Sequence, residues 1–208
     1  MTTLWAVSQA APLRRAVING NLDLAQYNSG SHAGWSSGGF MADLTITGDL
    51  FFVTQQQFMV RNTEMTTIHD GSWNMMFVGC KGAPGSSCTD SGYRAFTNVA
   101  QAPLIAEKPF ISFDGNKYFL NVPKLEANKE GVTKNYDNAD QVDFAHVYVA
   151  TASDSAATIN SKLDQGLHLV LTPGIYNLDD TVHITHANTV VLGLGLATLV
   201  AANGKPAI

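Results

Sequence analysis

Between residues 167 and 200 the apolar positions follow one pattern that occurs twice. The two copies lie 21 positions apart and match Leu169, Leu171, Gly174, Tyr176 and Leu178 with Val190, Leu192, Gly195, Ala197 and Leu199. Apolar residues two apart are typical of strands, and a repeat of about twenty residues is typical of coils that stack in register. The pattern therefore predicts a stacked β-coil, in which a third turn would begin where the sequence stops at Ile208.

A less regular coil is predicted earlier in the chain. Four strand-like segments, rich in apolar or β-branched residues, are separated by Gly, Ser, Asn or Asp; they cover residues 13–24, 38–53, 55–65 and 73–80. Triplets centred near Met41, Phe58 and Met75 recur roughly 17 residues apart. We interpret these segments as irregular turns of a first coil, with Trp73 heading a core strand.

A hairpin and a short helix are predicted between the two coils. Asp114-Gly115 lies between alternating apolar residues, which is a strong hairpin signal. A helix start at residues 153–154 and a stop at Gly166 define a helix directly before the regular repeat. We expect it to cap the open end of the second coil. Residues 82–103 are also predicted to be a loop, and the polar stretch 125–141 is predicted to be an exposed loop.

Composition and charge exclude several classes of partner. Charged residues make up only 14%, the net charge is −5, and no basic stripe is present, so we expect no nucleic-acid partner. No apolar run approaches the ~20 residues that cross a bilayer, so no membrane partner is expected. His183 and His186, three apart on a predicted strand, project to opposite faces, and no nucleotide-binding fingerprint is present. Neither a metal nor a cofactor is expected.

The two cysteines bracket a flexible Gly/Ser-rich segment. Cys80 and Cys88 are separated by KGAPGSS, which is flexible enough to let the two thiols meet. We predict a disulfide that pins this loop, and the alternative is two unpaired thiols with Cys80 in the core.

Several runs of the sequence resemble a known family. The run AATINSKLDQGLHLVLTPGIYNLDDTVHIT, followed by TVVLGLGLATL, resembles the opening of pectate-lyase-like right-handed β-helix domains. The upstream runs GWSSGGFMADLTITG, QQQFMVRN and WNMMFVGCKGAP resemble the end of a preceding β-helix in large secreted proteins. Those proteins are akin to glycoside hydrolase family 55, the exo-β-1,3-glucanases with two β-helices.

The resemblance implies an all-β protein built from right-handed parallel β-helices. Residues 1–84 would form the last rungs of a first β-helix, 85–150 a connector with the hairpin, and 151–208 the capping helix and first rungs of a second β-helix. The chain would then be the junction of a longer, extracellular protein, although its own N-terminus lacks a secretory signal. Its partners would be a polysaccharide or glycoside, and either the rest of the parent β-helix or another copy bound at the exposed coil ends.

In the glucanases the sugar site lies between the two helices, and the catalytic acid comes from later rungs of the second. We therefore expect the longer relative to be a glycosidase acting on β-glucan or β-glucosides, and this segment to be inactive alone. The alternative is a non-catalytic β-helix module that binds polysaccharide or acts as a structural spacer.

Two carboxylates are weak candidates for catalysis, because glycoside hydrolysis usually requires two carboxyl groups across the scissile bond. Asp43 is predicted to point outward from its strand, where it is either a groove residue or a partner for Arg61. Glu64 lies near a turn close to Arg61. A structural role is the alternative for both.

Amides and an aromatic ring are the candidates for substrate binding. Gln55 and Gln57 share one face of a strand, where they offer donors and acceptors to sugar hydroxyls, whereas Gln56 faces the other way. The alternative is an amide ladder inside the coil. Trp35, in a predicted loop, is a candidate to stack on a pyranose ring.

Overall fold

The computed structural model describes residues 1–6, 11–27, 32–88, 95–133 and 138–208. Within these residues the helices are the 3₁₀ helix Phe144–His146 and α1, Ala156–Asp164. The strands in chain order are β1 Thr2–Leu4, β2 Leu13–Arg14, β3 Val17–Ile18, β4 Asn21–Asp23, β5 Gly39–Ala42, β6 Thr45–Ile46, β7 Leu50–Val53, β8 Gln57–Arg61, β9 Ile68–Asp70, β10 Asn74–Val78, β11 Ser87–Cys88, β12 Ala95–Val99, β13 Ala102–Ile105, β14 Phe110–Phe113, β15 Tyr118–Pro123, β16 Glu126–Lys129, β17 Ala139–Asp143, β18 Val147–Ala150, β19 His168–Leu171, β20 Gly174–Asn177, β21 Val191–Gly193 and β22 Ala197–Val200.

The chain divides into two compact units. The first consists of Met1–Ala106 with Leu125–Asp137, and the second of Glu107–Lys124 with Asn138–Ile208. Strands from the predicted connector, residues 85–150, therefore contribute to both units. The assignment of three segments to two parent β-helices remains a prediction.

In the first unit the strands stack as coils of a parallel β-helix. One sheet has the order β1-β4-β7-β9, a second contains β2-β5-β8-β10-β12 with β11 at its edge, and a third pairs β3 with β6. Gln57 lies beside Asn74, which is the predicted offset of 17, whereas Phe40 lies beside Met59 at an offset of 19. The coils therefore differ in length, since their turns hold different numbers of residues.

In the interior of the first unit, each coil places an apolar side chain directly beside the corresponding side chain of the next coil. Met41, Val60 and Phe77 lie in register across β5, β8 and β10, and each is at most 1% exposed. Phe52 is fully buried and packs edge-on against Phe77, with ring centroids 6.1 Å apart. Full burial of one such side chain is worth about 1.5–3 kcal/mol, so stacking of the coils contributes strongly to the stability of this unit.

Two segments that the sequence predicts as loops contain strands. β12 extends the parallel sheet beside β10, and β13 pairs antiparallel with β16, which lies in the stretch predicted to be an exposed loop. β12 and β16 carry polar residues and β13 contains Pro103, so their strand signals are weak. Residues 89–94 and 134–137 of the predicted loops lie outside the described residues.

In the second unit the predicted repeat is present, but its register differs. Leu169 lies beside Val191, an offset of 22, and Gly174 lies beside Ala197, an offset of 23. The predicted offset of 21 is therefore wrong. The offset grows along the coil because residues 172–173 join the strands of one coil, whereas residues 194–196 join those of the next.

The parallel sheet β18-β19-β21 of the second unit is covered on both faces. Leu169 and Leu171 point into the coil with Tyr176, whereas Val170 packs on the opposite face with Leu120 of the antiparallel sheet β14-β15-β17. The predicted hairpin therefore forms and covers the outer face of the coil. A parallel sheet is stable when both faces are buried.

The capping helix also forms as predicted, with its N-cap one or two residues later. The Ser155 hydroxyl accepts a hydrogen bond from the Thr158 N–H at 3.1 Å. Ala156, Ile159 and Leu163 are buried in the inner cluster of the second coil. The prediction of a parallel β-helix with one short helix is confirmed.

A histidine joins two neighbouring coils of the second unit. The Val190 N–H donates to Nδ1 of His168 at 3.0 Å, which requires that nitrogen to be unprotonated. Burial, with a smaller effect from His146, lowers the pKa of His168 below its usual value of 6.5. The neutral ring therefore supports the register between β19 and the segment that leads into β21.

Candidate functional site

A cleft opens at a corner of the first unit, where the chain passes from one sheet of the β-helix to the next. Trp35, Gln56, Ser72 and Trp73 line it, and it encloses about 400 Å³. That volume lies within the usual range of small-molecule sites.

Stacked backbone hydrogen bonds fix the positions of the lining residues. The Gln56 N–H donates to the Ser36 carbonyl oxygen at 3.1 Å, and the Asn74 N–H donates to the Gln56 carbonyl oxygen at 2.9 Å. The Ser72 N–H donates to the Gln55 carbonyl oxygen at 2.9 Å. The lining side chains therefore project from successive rungs of one corner and are held by the coil itself.

The segment that carries Trp35 is anchored to its neighbours. The Gly34 N–H donates to the Gln26 carbonyl oxygen at 2.6 Å, and the Thr54 hydroxyl donates to the Gly34 carbonyl oxygen. The Tyr27 hydroxyl donates to Asp23 Oδ2 at 2.7 Å, and this bond to a carboxylate raises the pKa of Tyr27 to about 12. Trp35 therefore follows a residue, Gly34, whose N–H and carbonyl groups both form hydrogen bonds.

The lining residues have the chemistry of a site for a neutral, hydroxyl-rich ligand. Trp35 is 78% exposed and Trp73 is 43% exposed, so both indole rings are accessible. A flat indole packs well against an apolar C–H face, while an amide and a hydroxyl exchange hydrogen bonds with ligand hydroxyls. None of the four lining side chains is charged.

The three consecutive glutamines have separate roles. Gln55 is fully buried: its Oε1 accepts from the Gly38 N–H at 3.0 Å, and its Nε2 donates to the Leu24 carbonyl oxygen at 2.8 Å. Gln57 is exposed on β8, and Gln56 lines the cleft. The predicted binding pair Gln55 and Gln57 therefore does not line the cleft, and the Gln55 amide instead bonds to backbone groups of neighbouring coils, which favours a structural role inside the coil.

Close approach of the coils makes these contacts of Gln55 possible. Gly38 has φ 109°, and a Cβ at this position would lie 2.1 Å from the Gln57 carbonyl oxygen. Only glycine avoids that contact in this conformation. The Gln55 amide reaches the Gly38 N–H for the same reason, since the backbones are unusually near.

Both tryptophans of the cleft are exposed, although the sequence predicts that only Trp35 is. Trp73 directly precedes the core strand β10 as predicted, but the prediction that Trp73 itself belongs to the core is wrong, because its ring is exposed and contributes to the cleft. A sequence signal for it exists. The offset of 17 that places Gln57 beside Asn74 also places Gln56 beside Trp73.

The two candidate catalytic carboxylates form structural contacts. Asp43 is 3% exposed rather than outward-facing; its carboxylate pairs with Arg15 at 2.8 Å and accepts from the Thr133 N–H at 2.8 Å. Glu64 Oε1 lies 3.3 Å from Lys81 Nζ. Neither lines the cleft. These contacts favour the structural interpretation of both residues.

The predicted disulfide is absent from the structure, in which both thiols are free. Cys80 is buried, and its Sγ contacts the Val60 carbonyl oxygen at 3.4 Å, whereas Cys88 is exposed on β11. The two side chains have opposite environments because β11 lies at the sheet edge while Cys80 follows β10 into the core. Burial raises the pKa of the Cys80 thiol.

Neither a metal centre nor a membrane-spanning helix is found in the part of the chain that the structure describes. No group of three His, Cys, Asp or Glu side chains in this part of the chain is arranged to hold a metal ion. No helix among the same residues is long and apolar enough to span a membrane.

The fold places the chain in the class of parallel β-helix proteins, and its cleft is an aromatic surface site whose described lining is uncharged. Residues 147–208 match the family model of the LAM55 pectate lyase-like domain. The chain is 40% identical, over its whole length, to an exo-β-1,3-glucanase of Streptomyces sp. (strain SirexAA-E / ActE), and it spans 33% of that protein.

Solved structures give the same result. The structure of sacteLam55A from Streptomyces sp. SirexAA-E superposes with a TM-score of 0.88 over 99% of this chain and 37% of that chain, at 40% identity. A variant of sacteLam55A in complex with glucose gives a TM-score of 0.90 at the same identity, over 99% of this chain and 36% of that chain. These findings confirm the predicted resemblance to proteins akin to glycoside hydrolase family 55, of which the matched segment is about one third.

Proposed function

We propose that this chain supplies a sugar-binding coil to a glycosidase that acts on β-1,3-linked glucan. The observation that carries the proposal is the tryptophan-lined, uncharged cleft on a β-helix. The whole length of this chain matches about one third (33%) of an exo-β-1,3-glucanase. Neutral pyranose rings satisfy the chemistry of that cleft, because they present apolar C–H faces and peripheral hydroxyls.

Each lining residue has a defined part in the proposed complex. The indoles of Trp35 and Trp73 pack on sugar faces, while the Gln56 amide and the Ser72 hydroxyl exchange hydrogen bonds with sugar hydroxyls. The buried Gln55 amide holds neighbouring coils together and acts on the site only by positioning Gln56. Binding is therefore preorganised by the backbone ladder.

Hydrolysis needs groups that the described lining residues of the cleft do not supply. A glycosidase places two carboxyl groups about 5–9.5 Å apart across the bond, one of which donates a proton to the leaving oxygen. Trp35, Gln56, Ser72 and Trp73 include no carboxyl group. We therefore propose that the chain alone binds glucan without hydrolysing it, and that water attacks the sugar only where further carboxylates complete the site.

A titration with β-1,3-linked gluco-oligosaccharides tests the proposal. Trp35→Ala and Trp73→Ala should each weaken binding roughly tenfold, since each removes a ring that packs on the ligand. Val17→Ala, at a residue of the same unit that is 65% exposed and does not line the cleft, is the matched control. Unchanged affinity in both tryptophan variants would refute the assignment of the cleft.

A non-catalytic polysaccharide-binding module is the second candidate, and the absence of a carboxyl group among the cleft-lining residues favours it. Glucose release separates the two. We would read the genomic frame on both sides of the chain, express the whole encoded protein and incubate it with laminarin. Glucose release supports the glycosidase, whereas tight binding without turnover supports the module.

We also propose that the protein acts outside the cell, where polymeric β-glucan is accessible to it. A secretion signal in the same reading frame, and recovery of the protein from culture medium, would support this location. Retention of the whole protein in the cytoplasm would contradict it.

A further inference from the structure

A cluster of exposed aromatic rings lies at the tip of the hairpin in the second unit. Phe113 and Tyr118 face each other across β14 and β15, with ring centroids 4.8 Å apart. Phe144 continues the row, 5.9 Å from Tyr118. We call these three residues the hairpin platform.

The platform retains accessible ring surface after its own rings have packed. Phe113 is 54% exposed and Tyr118 is 55% exposed, whereas Phe144 is partly buried against the outer apolar cluster of the second coil. A cross-strand aromatic pair stabilises a hairpin by only about 0.2–1 kcal/mol. Hairpin stability therefore does not by itself account for two large rings left more than half exposed.

Several local bonds hold the platform rigid. Asp114 Oδ1 accepts from the Asn116 N–H at 2.8 Å and from the Lys117 N–H at 2.9 Å, which closes the turn. The Lys117 ammonium pairs with the Asp143 carboxylate on β17, and its Nζ lies 5.1 Å from the Phe119 ring centroid. The rings thus project from a braced turn, so a ligand would not have to order them.

The size of the exposed surface favours a polysaccharide over a protein partner. Two half-exposed aromatic rings present on the order of 200 Å², whereas a stable protein interface buries more than about 1,000 Å². The rim is hydrophilic, with exposed Asp114, Asn116 and Lys117 beside the rings. A short apolar strip with polar groups at its edge matches one or two sugar units of a chain.

We propose that the hairpin platform is a second glucan-binding surface, separate from the cleft in the first unit. It contacts a polymer through Phe113 and Tyr118, while Phe144 supports Tyr118 from behind. The ligand class rests on the proposed function, but the surface itself is defined by residues of the second unit. Its effect is expected on long glucans, which offer sugar units beyond those held by the cleft, and not on short oligosaccharides held by the cleft.

Affinity electrophoresis of the full chain in gels containing laminarin tests the platform. Phe113→Ala and Tyr118→Leu should each weaken laminarin binding roughly three- to tenfold. Tyr118→Phe keeps the ring and should bind like the unmodified chain. Ile175→Ala, at a residue of the same unit that is 62% exposed, is the matched control and should also be unchanged. Circular dichroism melts confirm that every compared variant is folded.

The outcomes separate the platform from the proposed function. If the platform variants bind laminarin normally while Trp35→Ala weakens binding, the platform proposal is overturned and the cleft stands. If Phe113→Ala instead abolishes a concentration-dependent self-association in sedimentation, the surface is a protein interface and the proposal is again overturned. No laminarin binding by the unmodified chain would overturn both.

Discussion

Replacement of Gln55 by methionine should destabilise the protein strongly, whereas the same change at the exposed residue Gln57 should have little effect. Its amide makes one hydrogen bond to the Gly38 N–H and one to the Leu24 carbonyl, and it is fully buried. Methionine has a similar volume but cannot replace either bond. Each orphaned backbone group costs about 1–3 kcal/mol, so the expected loss is about 2–6 kcal/mol.

The assay is urea denaturation followed by tryptophan fluorescence, with Gln57→Met as the matched control. Gln57 is exposed on β8, so its replacement should change the free energy of unfolding by no more than about 0.5 kcal/mol. A lower midpoint with an unchanged slope identifies a loss of stability. Equal midpoints for Gln55→Met and Gln57→Met would refute the structural role of the Gln55 amide.

Three further predictions follow from buried or titrating groups. Burial lowers the pKa of His168 in the folded protein, so below pH 6.5, its usual pKa, the unfolded chain binds more protons than the folded one. The free energy of unfolding should therefore fall as the pH decreases from 6.5. His168→Gln should flatten this pH dependence, as measured by denaturation midpoints. In the folded protein iodoacetamide should label Cys88 alone, and after unfolding without reductant it should label Cys80 as well. Mass spectrometry measures the labelling, and a disulfide would leave both cysteines unlabelled. Asp43→Asn should cost about 1–3 kcal/mol because it weakens a buried contact with Arg15, and an unchanged melting curve would contradict that role.

The periodicity of the chain predicts the stacked coils but not their register. Apolar residues at alternate positions identify Leu169 and Leu171 as inward-facing, and both are buried in the coil. The neighbour of Leu169 is Val191, one position beyond the predicted Val190, because turn lengths differ between successive coils. Turns contain polar and small residues without periodicity, so the hydrophobic pattern does not predict how many residues each turn contains.

The candidate site shows the same division. Alternation places Gln55 and Gln57 on one face, yet Gln55 is fully buried and Gln57 is exposed, because the regular strand β8 begins only at Gln57. Gln55 and Gln56 lie in the corner between sheets, where both strand periodicity and the rule that large apolar residues are buried fail. Trp73 is exposed at that corner for this reason, and its partner Gln56 is found only once the offset between coils is known.

The most direct test of the central claim uses the three tryptophans as internal reporters. In an NMR titration of the chain with a β-1,3-linked gluco-oligosaccharide, we expect the indole N–H resonances of Trp35 and Trp73 to shift in a saturable manner. The resonance of Trp5, which packs against the core of the first unit, should stay fixed. No shift at saturating ligand, or a shift confined to Trp5, would contradict the assignment of this β-helix corner as a glucan site.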